Sequence, residues 1–348
     1  MAQIDRVLRS NLKLRHLQML VALDQFQHLG RAAEFLSLTQ PAVSKTLAEI
    51  ESMFGLPLFE RSTRGTRPTA AGASVVRFAR SVLAGYERTR DEIAAEASGA
   101  SGRTSVGAMV SATPVLLAQA VERLKARSSR TTVLIEEGDL ARLLPKLRLG
   151  ELDLFVGRLE PAYASPDLET EPLCEDPMVA VVRPGHALAR KRAVQWADLA
   201  GQPCVLPPPW ASLRVKLEQQ FFAHGLHPPV DIVESASFLS QLTFMHQRGA
   251  VAFMACNVAQ HFAQQGMLAL LKLPVPVELP PLGLITLRGQ RLTPVTALLV
   301  ECLKEGAALR ERRRNHPAPP SPRTSACVNA CPGSPGAGPR VPSVAPGA

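Results

Sequence analysis

The chain has 348 residues, 46% of them hydrophobic and 20% charged, with a net charge of +9; this is the composition of a soluble globular protein long enough for roughly two or three domains, and it excludes a fibrous or wholly disordered chain. The charge is uneven, because residues 1–86 carry 11 Lys or Arg against 6 Asp or Glu, residues 310–348 carry 6 against 1, and the long middle is close to neutral. A basic N-terminal domain suits a polyanionic partner.

In chain order, Leu14, Leu17, Leu20, Val21 and Phe26 pattern as one amphipathic helix. Gly30 is an acceptable N-cap for a second helix over Arg31–Leu36, whose small Ala32 and Ala33 permit close helix approach. Ser37-Leu38-Thr39 is then a tight turn, and Thr39 is a good N-cap for a third helix. Pro41 falls in its first turn, where a missing N–H is harmless. Val43, Leu47, Ile50 and Phe54 follow at steps of four, three and four, one apolar stripe along that helix. Gln40, Ser44 and Lys45 lie on its other side and offer an amide, a hydroxyl and an ammonium to base edges and phosphates. After Gly55 the period changes. Leu56–Arg61 reads as a strand, Thr63–Thr66 as a turn and Arg67–Thr69 as a return, so a wing follows the helix-turn-helix, with Arg61, Arg64 and Arg67 on it.

The run Leu17…Ala32-Ala33…Leu36…Thr39-Gln40-Pro41-Ala42-Val43-Ser44…Glu51…Gly55…Leu58-Phe59-Glu60-Arg61…Thr69-Ala70-Ala71-Gly72 resembles the N-terminal domain of LysR-type transcriptional regulators. One departure stands out: His28-Leu29-Gly30 occupies the place where the family usually has Ser or Thr before the paired alanines. DNA contacts are therefore expected at Gln40, Pro41, Ser44 and Lys45 in the groove, and at Arg61, Arg64 and Arg67 on the backbone or in the minor groove.

From Ala70 to about Ala97 no proline interrupts a seam of Val75, Ala79, Val82, Tyr86, Thr89 and Ile93, a spacing suited to pairing with another helix. The plainer use of such a seam is packing on its own domain. Because Ala97-Ser98-Gly99-Ala100-Ser101-Gly102 reads as a flexible linker, a long dimerisation helix is expected, which also matches the resemblance. A dimer would set two recognition helices on the half-sites of a palindromic operator.

Residues 103–309 alternate strand-like and helix-like segments, an α/β pattern. Strands are expected at Thr104–Ala108, Thr131–Glu136, Leu152–Val156, Pro177–Val182, Pro203–Leu206, Val230–Val233, Val251–Met254 and Leu282–Leu287. Helices are expected at Pro114–Ala126, Leu140–Leu149, Leu213–His224, Phe238–Gln247 and Pro294–Ala308. Gly150-Glu151-Leu152-Asp153-Leu154, Val181-Val182-Arg183-Pro184-Gly185-His186 and Gly249-Ala250-Val251-Ala252-Phe253 resemble the effector-binding half of the same regulators, with Gly249-Ala250-Val251 standing where Gly-x-Gly is usual. The resemblance implies a winged helix-turn-helix at 12–69, a linker helix at 70–97 and a two-lobed, periplasmic-binding-protein-like α/β domain at 103–309. It places lobe one at about 103–173 plus 278–309 and lobe two between them. Residues 315–348, rich in Pro, Ser, Gly and Ala, read as disordered.

An effector cleft should be lined by helix N-termini that follow strands, where free N–H groups and the helix dipole favour oxygen ligands. The candidates are Ser111 and Thr113 before Pro114, then Trp210, Ser212 and Arg214 in the Pro207–Arg214 run, and Ser237 before Phe238. For each hydroxyl the plainer role is N-capping. The Pro207–Arg214 run, with Val233-Glu234-Ser235 and Leu292-Thr293-Pro294, resembles the branch regulating sugar-binding-protein or aromatic-acid catabolic genes. Arg214 favours an acid as effector, whereas Trp210 would stack on a sugar face.

The six cysteines form no disulfide or metal framework: Cys174, Cys204, Cys256 and Cys302 are singletons among apolar neighbours, and Cys327 and Cys331 have no second pair. No apolar run reaches membrane-span length, and the N-terminus lacks the apolar core of a signal peptide, so a cytoplasmic protein is expected. No nucleophile–base set, metal cluster or phosphate loop supports an enzyme, and no cofactor is implied. About 200 α/β residues argue against a purely architectural DNA binder. The sequence therefore points to an effector-controlled transcription regulator, a homodimer or homotetramer whose partners are operator DNA, a small molecule and RNA polymerase.

Overall fold

A computed structural model describes residues 2–62, 65–98, 102–209 and 211–315. The expected disordered segment beyond 315 lies outside the described residues. The chain opens with a short helix α1 (Ala2–Arg6), unforeseen in the sequence, which continues as a π-helical turn and sends Val7 into the first core. Three helices follow, α2 (Leu14–Phe26), α3 (Leu29–Phe35) and α4 (Gln40–Phe54).

The stripe expected on α4 is the buried one: Val43, Leu47, Ile50 and Phe54 all enter the core with Leu20 and Leu23 of α2. Ala32 and Ala33 are buried in the same core, their small side chains letting α3 lie close to its neighbours. Gly55 ends α4 in the left-handed conformation that a residue without Cβ adopts at low cost. The wing is a hairpin of β1 (Phe59–Ser62) and β2 (Gly65–Pro68). The Thr66 N–H donates to the Gln27 carbonyl at 2.8 Å, which pins the wing to the end of α2.

The long helix α5 (Ala70–Ser98) starts where Thr69 Oγ1 accepts from the Gly72 N–H at 3.0 Å. Its expected seam divides between two environments. Ala79 is buried and Val75 packs on the N-terminal core, the plainer use of such residues, while Tyr86 and Ile93 stay 47% and 65% exposed.

Two five-stranded sheets make up the rest, served by β3 (Arg103–Ala108), α6 (Ala118–Arg127), β4 (Thr132–Glu137), α7 (Leu140–Leu149), β5 (Leu154–Arg158), β6 (Leu168–Cys174), β7 (Met178–Val182), β8 (Cys204–Leu206), α8 (Ser212–Ala223), β9 (Ile232–Glu234), α9 (Phe238–Arg248), β10 (Val251–Ala255), α10 (Cys256–Gln264), β11 (Ala269–Leu270), β12 (Leu282–Leu287) and α11 (Pro294–Asn315). The first sheet runs β4-β3-β5-β12-β6 and the second β11-β7-β10-β8-β9. The chain passes between them twice, after Cys174 and again before Leu282, so two crossing segments join two separately cored sheets. Parallel pairings β3–β4, β3–β5, β8–β9 and β8–β10 carry the helical crossovers.

Several elements differ from expectation. The fifth strand begins at Leu154 rather than Leu152, and the strand expected at Val230 begins at Ile232, with Val230 fully exposed. Strand β6 escaped notice because Leu168-Glu169-Thr170-Glu171-Pro172 is polar and contains proline; it is an edge strand paired only to β12, where proline is tolerated. Helix α10 follows β10 without a loop, and β11 is only two residues long. Among the described helices none is long and apolar enough to cross a membrane.

Candidate nucleic-acid interface and effector cleft

The N-terminal turn of α4 is built by its cap. Thr39 Oγ1 accepts from the Ala42 N–H at 3.4 Å, and Gln40 and Pro41 stand exposed at the helix start. Lys45 is exposed on the same side, while Ser44 is half-buried because the wing leans on it. Arg61 Nη1 donates to Ser44 Oγ at 3.1 Å, tying the wing to α4. Arg67 is exposed on β2, and Arg64 lies outside the described residues. Glu51, on the face of α4 toward the wing, accepts from the Leu58 and Phe59 N–H groups at 2.8 and 3.0 Å, which fixes where β1 starts. One end of α4 with its dipole, an amide, a hydroxyl and cations thus form one surface with the wing.

The second helix is capped differently from expectation. Gly30 is not the cap: α3 starts at Leu29, and His28 Nδ1 accepts from the Gly30 and Arg31 N–H groups at 3.1 and 3.4 Å. An imidazole nitrogen here takes the place of a Ser or Thr oxygen. A Cβ on Gly30 would meet the His28 ring at 3.1 Å and the Gln40 amide oxygen at 3.5 Å, so the starts of α3 and α4 converge at this point. His28→Ala should destabilise the N-terminal core by about 1 kcal/mol, and His28→Ser should restore it, as read by thermal denaturation.

Of the effector candidates, Ser111 is distinctive. Its hydroxyl is buried and has no hydrogen-bond partner among the described residues, and it stands two residues before the π-helical turn Thr113–Leu117 that leads into α6. That turn meets α10, which belongs with the second sheet. Thr113 Oγ1 donates to the Met109 carbonyl at 3.4 Å. Ser237 caps α9 by accepting from the Ser240 N–H, the plainer role. Arg214 is buried and its cation is already matched: Nε donates to Glu218 at 2.6 Å, and Nη1 to Glu234 at 3.0 Å and to the Pro207 carbonyl at 3.1 Å. It thereby anchors the 207–214 loop. Trp210 and the Ser212 side chain lie outside the described residues.

A buried cation at the end of β5 fastens the segments that join the sheets. Buried Arg158 donates to the Pro280 and Asp176 carbonyls, each at 2.8 Å, and so ties both crossing segments together. Burial pushes the Asp176 carboxyl above its ordinary pKa, opposed by the Asn257 N–H at 3.1 Å. Among the described residues no cluster of metal-binding side chains is found, and burial pushes the Cys204 thiol up to about 12, so it is inert.

The family assignment follows from the comparisons. Residues 14–73 match the model of the bacterial regulatory helix-turn-helix protein, lysR family, and residues 97–308 match that of the LysR substrate binding domain. The chain belongs to the LysR family of transcriptional regulators. It is 30% identical over 327 residues to the HTH-type transcriptional regulator GbpR of Azospirillum brasilense, covering 93% of this chain and 94% of that protein. It is 29% identical over 297 residues to PcaQ of Agrobacterium fabrum, covering 85% and 95%. Among solved structures, the LysR family regulator CbnR superposes with a TM-score of 0.66 at 20% identity, over 85% of this chain and 99% of that one. Full-length CbnR complexed with its target DNA gives 0.65 at 20% identity, over 85% and 100%. The chain is therefore a DNA-binding transcription regulator with an effector-binding α/β domain, in a family of regulators rather than enzymes.

Proposed function

We propose that residues 12–69 read a palindromic operator through Gln40, Pro41, Ser44 and Lys45, with Arg61, Arg64 and Arg67 on the phosphates or in the minor groove. The 70–97 helix joins two copies through its exposed Tyr86 and Ile93, and dimers pair into a tetramer. Residues 103–309 bind the effector between lobe one (103–173 with 278–309) and lobe two (174–277). Effector binding changes lobe closure, hence subunit spacing, DNA bend and contact with RNA polymerase in the cytoplasm.

The observation that carries the effector site is the Ser111 hydroxyl, buried without a partner among the described residues beside a helix start that meets α10 of the other half. Such a group is costly unless something bonds it. A sugar or a small carboxylated catabolite supplies the oxygen, with Thr113, Trp210, Ser212 and Ser237 as further contacts and Arg214 holding the loop that carries Trp210. Because Arg214 already faces two carboxylates, the hydroxylated class is favoured over a dianion.

The test is a thermal-shift panel of small sugars and mono- and dicarboxylates on the full chain, followed by operator titration. A stabilising compound should lose its effect in Ser111→Ala and Trp210→Ala, while operator affinity stays within about twofold. Equal stabilisation of wild type and variants, or joint loss of ligand response and operator binding, would refute this division of labour.

A further inference from the structure

The N-terminal domain and the first α/β sheet meet along one face of α5, and two arginines eight residues apart on it, Arg80 and Arg88, pair with carboxylates there. Arg80 Nη2 donates to Asp24 Oδ2 on α2 at 3.0 Å, and its Nη1 donates to Glu151 Oε1 at 3.3 Å. One guanidinium therefore joins the DNA-binding core to the turn after α7. Arg88 Nη1 lies 3.9 Å from Asp153 Oδ1 in the same turn. The two arginines, about 12 Å apart along the helix, thus face the Gly150–Asp153 turn at Glu151 through a hydrogen bond and at Asp153 through a longer ion-pair contact.

The turn is shaped for this grip. Gly150 has φ +74°, and a Cβ there would approach the Arg88 guanidinium at 3.1 Å. Asp153 is held from behind, its Oδ2 accepting from the Ser105 N–H of β3 at 2.7 Å. Burial raises its pKa, while the Ser105 N–H and Arg88 pull the other way. Buried Ala84 lies between the two arginines, and the face continues into a cavity of about 630 Å³ bordered by Val21, Leu83 and Val295. The Arg80 side chain is 28% exposed and its two partners 27% and 29%, so water screens these pairs less than it screens a fully exposed one.

We propose that Arg80 is the positioning residue that couples the effector domain to the DNA-binding domain, its two guanidinium arms tying Glu151 of lobe one to Asp24 of α2. Arg88 and Asp153 hold the turn in register, so that displacement of lobe one pulls on α2, the helix against which α3 and α4 pack. Arginine suits this role because its planar fork serves two carboxylates at once, as the point charge of lysine does not.

Hydrogen–deuterium exchange on the full-length protein, without DNA or effector, tests the proposal. Glu151→Gln removes the charge of the lobe-one arm alone, weakening it from an ion pair to a neutral hydrogen bond, at a residue with no hydrogen bond to α2. Exchange within Leu20–Phe26 should rise about three- to tenfold in Glu151→Gln, and by no more in the Arg80→Gln/Glu151→Gln double variant than in Arg80→Gln alone. Arg80→Lys, which keeps charge and stem, should reproduce most of the Glu151→Gln effect and guards against misfolding of Arg80→Gln. Changes in Glu151→Gln confined to residues 146–153 and α5, or additive effects of the two substitutions on α2, would overturn it.

Discussion

Gly72→Ala should abolish operator binding and lower the stability of the DNA-binding domain by about 3 kcal/mol or more. A Cβ at this position would stand 1.8 Å from the Leu58 carbonyl oxygen, 2.8 Å from its carbon and 3.2 Å from its Cα. None of these is the end of a flexible side chain. The carbonyl is itself held, since it accepts from the Thr69 N–H at 2.9 Å, and Thr69 Oγ1 bonds the neighbouring Pro57 carbonyl at 2.8 Å. Relief would require separating α5 from the start of the wing, which also carries Arg61. Gly85→Ala on the same helix places its Cβ in open space and should gain about 0.5–1 kcal/mol. Urea unfolding followed by circular dichroism, with mobility shifts in parallel, compares the two. Similar midpoints for both would mean that α5 and the Pro57–Leu58 backbone are not so closely packed.

The second large effect concerns recognition. Gln40→Ala with Ser44→Ala should weaken specific DNA binding about 10- to 100-fold, because an amide paired bidentately to a base is worth ~1–3 kcal/mol of discrimination. The melting temperature should stay within about a degree, since neither side chain belongs to the core and surface changes of this kind are nearly neutral. Ser44 has a further part, because its hydroxyl accepts from Arg61; removing it releases the wing arginine as well as the proposed base contact. Fluorescence anisotropy with labelled duplexes measures the affinity. Unchanged affinity would move the reading surface away from the start of α4.

Much of this was legible in the sequence for local reasons. The stripe Val43, Leu47, Ile50, Phe54 repeats at helical spacing, and Thr39 and Gly55 are residues whose chemistry marks helix ends, so α4 could be bounded from both sides. The parallel strands of the α/β half are short apolar runs between helical patterns, and most appear where that rhythm puts them. What escaped has equally physical causes. An imidazole as N-cap obeys the same geometry as a hydroxyl but has no place among the usual cap residues, so the sequence points to Gly30 and not to His28. Edge strand β6 buries little and therefore lacks a hydrophobic alternation.

The charged groups were hardest to read, because their meaning lies in pairings distant in sequence. Arg80 meets partners 56 and 71 residues away, and Arg158 joins carbonyls 18 and 122 residues away. Arg214, which as an isolated cation near a helix start suggested a carboxylate ligand, has Glu218 and Glu234 within 3.0 Å. Ser111 shows the opposite case: a hydroxyl named as an effector candidate, whose plainer role would be to cap a helix, has no partner among the described residues.

Sequence-specific control of DNA is the centre of this account, and a salt-controlled mobility shift tests it most directly. Full-length protein is titrated onto the DNA upstream of its own gene, against a scrambled competitor of equal length, from about 50 to 200 mM salt. Base recognition by α4 gives a discrete complex that survives both competitor and salt and is lost with Gln40→Ala and Ser44→Ala. Binding that falls away equally for both DNAs as salt rises would show phosphate attraction alone, contradicting base recognition by α4 at this site.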